Sequence, residues 1–402
     1  MKILIVLPRF PYPLEKGDKL RAYNQIKGLS KNNEIVLFCV SHKKVRQEDI
    51  DKLKPYCSAI KVVKPSALVA YANVVKSFFS IDSLQVGYWN SKKIRASYSR
   101  FERKQKPDVV YCQMIRTMEW VAKSDLPKVL DFQDALSKNV ERRMYKTKGL
   151  FRKILHYEFK MLRSCEYDAF SYFDAFTIIS EQDRDAVPHT RNSEIKVLPN
   201  GVDTDYFKPQ DCEPKYDVLF CGNMNYAPNV DAALFLAKEV MPLVWKHRPE
   251  TTLLLAGANP AVSVRNLQTS KIKVTGWVDD IRECYAQAKI FVAPMQIGSG
   301  LQNKLLEAMA MRKPCITSPL ANNALGAMDG KQILEAEAAQ DYADYILRLL
   351  TDKAEADELA ANGYNFVMEN YNWDKYSKEL ESLLEEVKNM DFKTKQSSKK
   401  KA

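Results

Sequence analysis

Short apolar runs with the composition of buried strands alternate with helical segments along this chain, and the alternation starts again about halfway along it. Strands that alternate with helices form parallel sheets with helices on both faces. The first half holds the predicted strands 2–8, 34–40, 59–63, 108–112, 128–132, 176–180 and 195–198, and the second half holds 216–221, 252–256, 273–275, 290–293 and 315–317. We therefore predict an α/β fold of two Rossmann-like, doubly wound parallel-sheet domains, with a break near residue 210.

The predicted break coincides with a segment at 203–214 that is rich in Asp and Pro and shows no periodicity. A chain of 402 residues is too long for one ordinary core and suits two domains of moderate size. We assign 1–207 to the first domain, 208–362 to the second and 363–390 to a closing helix, and we expect the basic tail 391–402 to be disordered. Ligands of such folds bind beyond the carboxyl ends of the strands, so two facing domains would enclose one central cleft.

The sequence predicts neither a membrane span nor a signal peptide. The apolar run at the start is short, and no window reaches the roughly 18 apolar residues of a spanning helix. The eight cysteines are scattered and include no C-x-x-C pair, which favours reduced thiols. We therefore expect a cytoplasmic protein.

Positive charge is concentrated in the first half of the chain. Residues 1–200 hold 37 Lys and Arg against 22 Asp and Glu, a net +15, and the remainder holds 24 against 28, a net −4. Segment 64–106 mixes nine basic residues with apolar and aromatic ones. Two interpretations stay open: the segment lies peripherally on the anionic inner face of a membrane, or it forms a helical layer over the sheet with a solvated basic edge. No nucleic-acid-binding module is recognisable, so nucleic acid is not an expected partner.

One short segment of the second half combines three features that suit a diphosphate nucleotide. A strand leads into the loop Gly298-Ser299-Gly300, and a helix begins directly after it. Glycine lets the backbone approach a ligand closely, and free amides at the start of a helix bind phosphate. Lys304 adds a positive charge in the first helical turn, and Glu307 lies on the same helix face, where it can accept hydrogen bonds from two ribose hydroxyls. The alternative is a loop-to-helix junction with a solvated Lys–Glu pair.

Several segments resemble, in the same order, those of the family 4 retaining glycosyltransferases, which have the GT-B fold. GLQNKLLEAMAMRKP at 300–314 resembles the family signature, PNGVDTDYFKP at 199–209 resembles the inter-domain motif, and TGWVDDIRECYAQAKIFVAP at 275–294 resembles the nucleobase segment. NYNWDKYSKELESLL at 370–384 resembles the final helix that crosses back to the first domain. FCGNMNYAPNVDAALFL at 220–236 resembles the exosortase-associated sugar transferase subgroup.

The resemblance implies an acceptor-side first domain and a second domain that binds a nucleotide sugar. Glu307 would bind the ribose hydroxyls, and the amides of Gly300 and Leu301 would bind the donor diphosphate together with Lys304. The other residues that the resemblance assigns to the donor are Gly17 and Arg21 in the first domain, and Gly222, Asn223, Asn225, Gly276, Trp277, Gly298, Ser299 and Gln302 in the second.

Four features depart from the family pattern, and one of them is that the lysine usual a few residues after Asn223 is missing, with Pro228-Asn229 nearby. Ser299 stands where many members have the first of two glutamates, Asn223 stands where an arginine is common, and Gln133 stands where many members have a histidine. Gln133 itself and the nearby Asp131 and Asp134 become the candidate catalytic side chains of the first domain.

The missing donor contacts would then come from other side chains. Asn225, Lys304, Arg9 and Arg21 are the candidates, and Lys304 is also a catalytic candidate because it would stabilise the leaving diphosphate.

The reaction implied by the resemblance moves a hexose from a nucleoside diphosphate sugar to a glycan or lipid-linked acceptor with retention, in bacterial surface glycan, exopolysaccharide or glycolipid synthesis. The leaving phosphate would assist deprotonation of the acceptor, and neither a metal nor another cofactor is expected. The four histidines have no metal-ligand spacing. Two alternatives stay open: a sugar-nucleotide epimerase of the same fold, and a non-catalytic protein that binds nucleotide sugars.

Overall fold

The computed structural model describes residues 1–14, 16–42, 44–79, 82–145, 147–297 and 301–390. The chain folds into two compact units, one formed by Met1–Pro199 together with the helix that begins at Trp373, and one formed by Asn200–Asn372. Each unit contains one parallel sheet between helices. The predicted fold of two Rossmann-like α/β domains is confirmed.

The sheet of the first unit has seven parallel strands in the order β3-β2-β1-β4-β5-β6-β7. The strands are β1 (Lys2–Leu7), β2 (Glu34–Val40), β3 (Ala59–Val63), β4 (Val109–Gln113), β5 (Lys128–Asp131), β6 (Ala175–Ile178) and β7 (Lys196–Val197). The helices are α1 (Gly17–Leu29), α2 (Gln47–Asp51), α3 (Ala67–Phe79), α4 (Leu84–Trp89), α5 (Lys92–Gln105), α6 (Met118–Val121), α7 (Leu136–Tyr145), α8 (Gly149–Asp168) and α9 (Glu181–Ala186), with single 3-10 turns at Ile115–Thr117, Ala169–Ser171 and Asn192–Glu194.

Both faces of this sheet are covered, which explains why its strands are mostly apolar and show no regular alternation with polar residues. In β1, Ile3 and Ile5 pack in the layer that contains α1, whereas Leu4 and Val6 pack in the layer that contains α4, α5 and α8.

The sheet of the second unit has six parallel strands in the order β10-β9-β8-β11-β12-β13. The strands are β8 (Tyr216–Cys221), β9 (Leu253–Ala256), β10 (Ile272–Val274), β11 (Ala288–Ala293), β12 (Cys315–Thr317) and β13 (Leu334–Glu335). The helices are α10 (Ala227–Phe235), a π-helical turn at Leu236–Val240, α11 (Met241–His247), α12 (Val262–Arg265), α13 (Ile281–Ala286), α14 (Asn303–Ala310), α15 (Pro319–Leu325), α16 (Ala339–Thr351) and α17 (Lys353–Asn370).

The boundary between the units lies between residues 199 and 200, whereas the sequence analysis placed it between 207 and 208. The backbone explains the difference, because the amide of Val202 donates to the carbonyl oxygen of Tyr371 at 3.0 Å and Val202 pairs with Asn372 in a parallel bridge. These contacts attach the segment after Pro199 to the second unit.

The same bridge interrupts the predicted closing helix 363–390. Residues up to Asn370 belong to α17 of the second unit, and the chain is non-helical at Tyr371. A separate helix, α18 (Trp373–Asn389), follows and packs on α1 in the first unit. Leu380 and Leu384 of α18 are fully buried in the layer that contains Ile26 of α1. The predicted disordered tail 391–402 lies outside the described residues. Among the residues that are described, no helix is both long and apolar enough to cross a bilayer.

Candidate functional site

The described part of the predicted diphosphate segment, from Leu301 into α14, lies at the carboxyl edge of the second sheet. β8 and β11 are neighbours there, and the strand order runs outward from them in opposite directions, which is where doubly wound folds bind ligands. Gln302 occupies the N-cap position of α14, and Leu301 is buried just before it. Gly298, Ser299 and Gly300 lie outside the described residues, so their contacts with a diphosphate stay predictions.

The ammonium group of Lys304 is held next to the end of β8. Its Nζ donates to Oδ1 of Asn229 at 2.5 Å and lies 4.8 Å from the centroid of the Phe220 ring. Burial lowers the pKa of Lys304 to about 8, and the nearby Cys221 and Glu307 partly offset this effect. An ammonium that has lost water gains strongly from an anionic ligand, because phosphate oxygens restore the hydrogen bonds that burial removed.

Asn229 connects Lys304 to the loop that follows β8. Its side-chain nitrogen donates to the carbonyl oxygen of Asn223 at 3.0 Å, while its oxygen accepts from Lys304, so both ends of the buried amide are used. The sequence analysis did not include Asn229 among the site residues. The available signal was its place in the first turn of the helix after the β8 loop, where a polar side chain can point back toward that loop.

Glu307 lies one helical turn beyond Lys304 and is held by a buried tyrosine. The hydroxyl of Tyr285 donates to Oε2 of Glu307 at 2.8 Å and lies 3.0 Å from Sγ of Cys221. Burial raises the pKa of Glu307, whereas the hydrogen bond from Tyr285 and the charge of Lys304 oppose the shift. Tyr285 therefore fixes one carboxylate oxygen of Glu307, a second contact that the sequence analysis missed.

Two glycines let the ends of β8 and β9 approach each other. A Cβ atom on Gly257 would lie 1.9 Å from the carbonyl oxygen of Gly222, so no side chain fits at position 257. A Cβ atom on Gly222 would lie 2.7 Å from Nδ2 of Asn229 and 3.3 Å from Nζ of Lys304. The predicted Gly222 therefore leaves the space in which Lys304 and Asn229 meet, and Gly257 is a further residue that the sequence analysis missed.

Four other predicted donor residues lie in the loops that follow β8 and β10. The backbone amide of Asn225 donates to Oδ1 of Asn223 at 3.1 Å, and the side chain of Asn225 is exposed. Gly276 has φ +76°, a backbone conformation that favours glycine. Next to it, the Trp277 side chain is 63% exposed, and its Nε1 donates to Oδ1 of Asp279 at 3.2 Å. An exposed indole face offers a stacking surface for a flat ring.

Arg21 and Asp131 form a buried ion pair in the first unit. Nε of Arg21 donates to Oδ2 of Asp131 at 2.6 Å, and its Nη1 donates to the carbonyl oxygen of Leu198 at 2.8 Å. Asp131 also accepts from the hydroxyl of Tyr111 at 2.9 Å and from the backbone amide of Gln133 at 3.1 Å. The two charges therefore hold α1 against the ends of β4, β5 and β7, and their predicted roles beside a donor sugar stay predictions.

Gln133 and Asp134 follow this pair at the carboxyl edge of the first sheet. Gln133 is buried with φ +63°, and its Nε2 has no hydrogen-bond partner within the part of the chain that the structure describes. Burial raises the pKa of the Asp134 carboxyl group, and the negative charges of Asp183 and Asp131 add to the shift. A carboxyl group in this environment keeps its proton to higher pH and can serve as a proton donor.

The remaining two predicted residues lie in the loop after β1 and at the start of α1. Gly17 is the first residue of this helix and is exposed. Arg9 follows β1, and its Nη1 donates to Oδ2 of Asp18 at 2.7 Å. The structure thus places the described predicted residues in two groups, one in the loops and helix at the carboxyl edge of the second sheet and one at the carboxyl edge of the first sheet.

The sequence of the second unit matches a known family. The family described as "Glycosyl transferases group 1" matches residues 215–352. A relative over nearly the whole chain is an uncharacterised 44.6 kDa protein in the cps region of Klebsiella pneumoniae, which is 25% identical over 392 residues and is aligned over 92% of this chain and 96% of its own length.

Solved structures share the architecture of both units. HepE of Anabaena, in complex with UDP and glucose, superimposes with a TM-score of 0.68 at 14% identity, over 96% of this chain and 100% of HepE. A TarM variant of S. aureus, in complex with fondaparinux, α-GlcNAc-glycerol and UDP, superimposes with a TM-score of 0.67 at 13% identity, over 97% of this chain and 100% of TarM. At these identities the likeness establishes the fold, which is the GT-B fold with two Rossmann-like domains.

Proposed function

We propose that this chain, whose second unit is a group 1 glycosyltransferase domain, moves a hexose from a nucleoside diphosphate sugar to a hydroxyl group of a glycan or lipid-linked acceptor, with retention at the anomeric carbon. The observation that carries the proposal is the pair of anchored side chains on α14. Asn229 holds Lys304, which we assign to the diphosphate, and Tyr285 holds Glu307, which we assign to the ribose hydroxyls.

In the proposed reaction the bond between the anomeric carbon and the diphosphate oxygen breaks, and a bond from that carbon to the acceptor oxygen forms on the same face of the sugar. The acceptor proton passes to the phosphate oxygen that is released. Lys304 and the amides at the start of α14 stabilise the charge that develops on the diphosphate, which is an electrostatic role that a metal fills in other enzymes. Asp134 and Gln133 are the side chains of the first unit that we assign to the donor sugar.

UDP-hexoses are the donors to test first, because HepE and TarM, which share this fold, are found in complex with UDP. We assign the acceptor to bacterial surface glycan or glycolipid synthesis, on the strength of the sequence resemblance. We also propose that the protein acts in the cytoplasm at the inner face of an anionic membrane, and the eight free cysteines support a reducing compartment.

Isothermal titration with UDP, GDP and ADP tests the donor site. Lys304→Ala and Glu307→Ala are each expected to weaken binding of the preferred nucleotide by about tenfold or more, because each removes a charge-assisted hydrogen bond. Lys238→Ala and Glu239→Ala are matched controls, since both side chains are exposed on the π-helical turn of the same unit. Unchanged affinity in both α14 variants, with the fold retained, would refute the site.

Turnover separates the proposed reaction from its alternatives. A glycosyltransferase releases the nucleoside diphosphate slowly from a bound sugar nucleotide even without an acceptor, and the anomeric coupling of a product formed with an acceptor reports retention. Binding with no release would indicate a non-catalytic binding protein, and conversion of one sugar nucleotide into another would indicate an epimerase. We expect EDTA to leave the release rate unchanged, and a loss restored by a divalent cation would contradict metal-independent transfer.

A further inference from the structure

Helix α3 exposes its apolar side and buries its small and polar side. Leu68, Tyr71, Val75 and Phe79 occupy positions i, i+3, i+7 and i+11, which lie on one face of a helix, and all four are exposed. Leu68 is 83% exposed and Phe79 is 80% exposed. A surface helix of a globular protein normally shows the opposite orientation, because apolar side chains are stabilised by leaving water.

The inner face of α3 explains how this orientation is held. Ala70 and Ser77 are its buried residues, and a Cβ atom on Gly87 of α4 would lie 1.8 Å from the hydroxyl oxygen of Ser77. Asn73 donates its side-chain amide to the carbonyl oxygen of Asn90. The close approach of Ser77 to Gly87 needs small residues, and the hydrogen bond from Asn73 needs a polar one. These two contacts fix α3 to α4 and leave the apolar side of α3 facing outward.

The first turns of α8 also expose apolar side chains. Leu150 is 74% exposed, and Phe151 and Ile154 are exposed beside it. Tyr157 of α8 joins the two helices, because its hydroxyl donates to the carbonyl oxygen of Ser77 at 3.1 Å and its ring lies 5.2 Å from that of Phe78. We call the exposed side chains of Leu68, Tyr71, Val75, Phe78, Phe79, Leu150, Phe151 and Ile154 the α3–α8 surface.

The two sequence segments that carry the α3–α8 surface are rich in basic residues. Sequence segments 64–79 and 142–157 together contain eight Lys or Arg residues and no Asp or Glu. Arg152 and Lys153 are exposed on α8 between the apolar side chains. An apolar face bordered by cations matches the interface of an anionic bilayer, where the apolar groups enter the acyl boundary and the cations meet lipid phosphates.

We propose that the α3–α8 surface is the membrane-docking surface of the protein, and that it binds the headgroup region of anionic bilayers with its apolar side chains inserted. This inference deepens the proposed function, because a surface-bound enzyme meets a lipid-linked acceptor in the plane of the membrane. It also narrows the site of docking within the predicted segment 64–106 to α3 and adds the start of α8, so that Lys92, Lys93 and Arg95 of α5 lie outside the α3–α8 surface. Arg95 is oriented toward Asn90 and Glu119 within the protein.

Co-sedimentation of the full chain with vesicles tests this surface. We expect binding to vesicles of phosphatidylcholine with phosphatidylglycerol at low salt, and little binding to vesicles of phosphatidylcholine alone. Arg152→Glu with Lys153→Glu should lower the partition coefficient by about tenfold or more, since each cation near an anionic surface contributes on the order of 1 kcal/mol. Leu68→Ser with Phe79→Ser should lower it by a similar factor at high salt, where only the apolar contribution remains.

Each double variant has a matched control. Arg103→Glu with Lys104→Glu reverses the charge of one Arg and one Lys in the last turn of α5. This turn leads into the amino end of β4, whereas α3 follows the carboxyl end of β3, so the two pairs lie at opposite edges of the sheet. Val262→Ser with Met328→Ser removes two exposed apolar side chains from the second unit. Both controls should bind vesicles like the unchanged protein, and thermal melting of all four variants verifies that they are folded.

Three outcomes would overturn the proposal. The first is no binding of the unchanged protein to anionic vesicles at low salt. The second is an equal loss of binding in the control variants and the α3–α8 variants. The third is a dimer that Leu68→Ser with Phe79→Ser dissociates without any vesicle binding, which would make this surface an interface between two copies of the chain. Nucleotide binding is measured in the same samples, so a failed donor site and a failed docking surface are separate results.

Discussion

The side-chain oxygen of Asn229 lies 2.5 Å from Nζ of Lys304, and the side-chain nitrogen of the same amide donates to the carbonyl oxygen of Asn223. One buried amide thus joins a lysine on α14 to the loop after β8. The orientation of an amide is fixed by its two partners, since its nitrogen can only donate and its oxygen can only accept. The position of the Lys304 charge therefore depends on a residue that need not touch the donor.

Replacement of Asn229 by Ala should weaken binding of the nucleoside diphosphate by about fivefold, because Lys304 loses the partner that orients it. Asn229→Asp should weaken it further, since a carboxylate beside Lys304 competes with the diphosphate for the same charge. Isothermal titration measures both effects, with Asn266→Ala as the control because its side chain is exposed. Equal affinities in the Asn229 and Asn266 variants would show that Asn229 has no positioning role.

The affinity for the nucleoside diphosphate should fall as the pH rises through about 8, the value to which burial lowers the pKa of Lys304. The charged lysine binds the anion, so deprotonation removes the attraction, and the loss approaches about tenfold per pH unit above that point. Lys304→Arg should remove this pH dependence, because guanidinium stays protonated over the range. A profile of the unchanged protein that is flat from pH 7 to about 9 would contradict this assignment.

Gly257→Ala should lower the free energy of unfolding by about 2 kcal/mol or more, because the new methyl group would overlap the carbonyl oxygen of Gly222 and force the two strand ends apart. Gly330→Ala is the control, since Gly330 also has a positive φ but a Cβ atom there meets no atom within 4 Å. Gly330→Ala should lower the free energy of unfolding by about 1 kcal/mol, because only the strain of a left-handed backbone is added there. Urea denaturation monitored by circular dichroism gives both values, and equal costs would show that the close approach can relax.

Arg21→Met and Asp131→Asn should each lower the free energy of unfolding by about 3 kcal/mol or more, because each leaves a buried charge without its partner. Arg191→Met is the control, since Arg191 pairs with Glu194 at 2.7 Å on the surface, and such a pair contributes about 1 kcal/mol at most. Denaturant titration compares the variants. If the free energy of unfolding falls only slightly in all three variants, the buried pair does not stabilise the first unit.

Asp134→Asn should stabilise the protein increasingly as the pH is raised from acid toward neutral. The pKa of Asp134 is raised above its unfolded value, so the folded state binds the proton more tightly and stability falls as the pH rises through that interval. Asparagine does not ionise and avoids this loss, and at strongly acid pH the two proteins should be equally stable. Melting temperatures across the pH range test the sign, with the exposed Asp125→Asn as the control. A constant difference at every pH would contradict the raised pKa.

Much of the fold could be predicted because its signal is local. Apolar runs of strand length in β1, β2 and β8 follow from burial on both faces of a parallel sheet, and the restart of the pattern at Tyr216 indicated two domains. Lys304 and Glu307 could be placed on one helix face because their spacing is three residues in a single helix. The boundary between the units at Pro199 could not be predicted from the sequence, because it depends on the bridge between Val202 and Asn372.

The partners of the site residues depend on long-range packing. Asn229 is 75 residues from Lys304 in the sequence, and Tyr285 is 22 residues from Glu307. No periodicity relates such positions, because their distance is decided by how α10 and α13 pack around the ends of β8 and β11. Arg21 and Asp131 are 110 residues apart, and their burial against each other likewise has no counterpart in local spacing.

The sequence by itself determined the alternation of strands and helices, the division into two parallel-sheet units and the positions of Lys304 and Glu307 on one helix face, since each follows from spacing within a single element. Only the tertiary structure decided that Asn229 and Tyr285 anchor those two side chains and that the apolar face of α3 points outward. Helical periodicity predicts which residues share a face of the helix, but it does not predict whether that face is buried or exposed. The orientation of the face is set by contacts with other elements, here the close approach of Ser77 to Gly87.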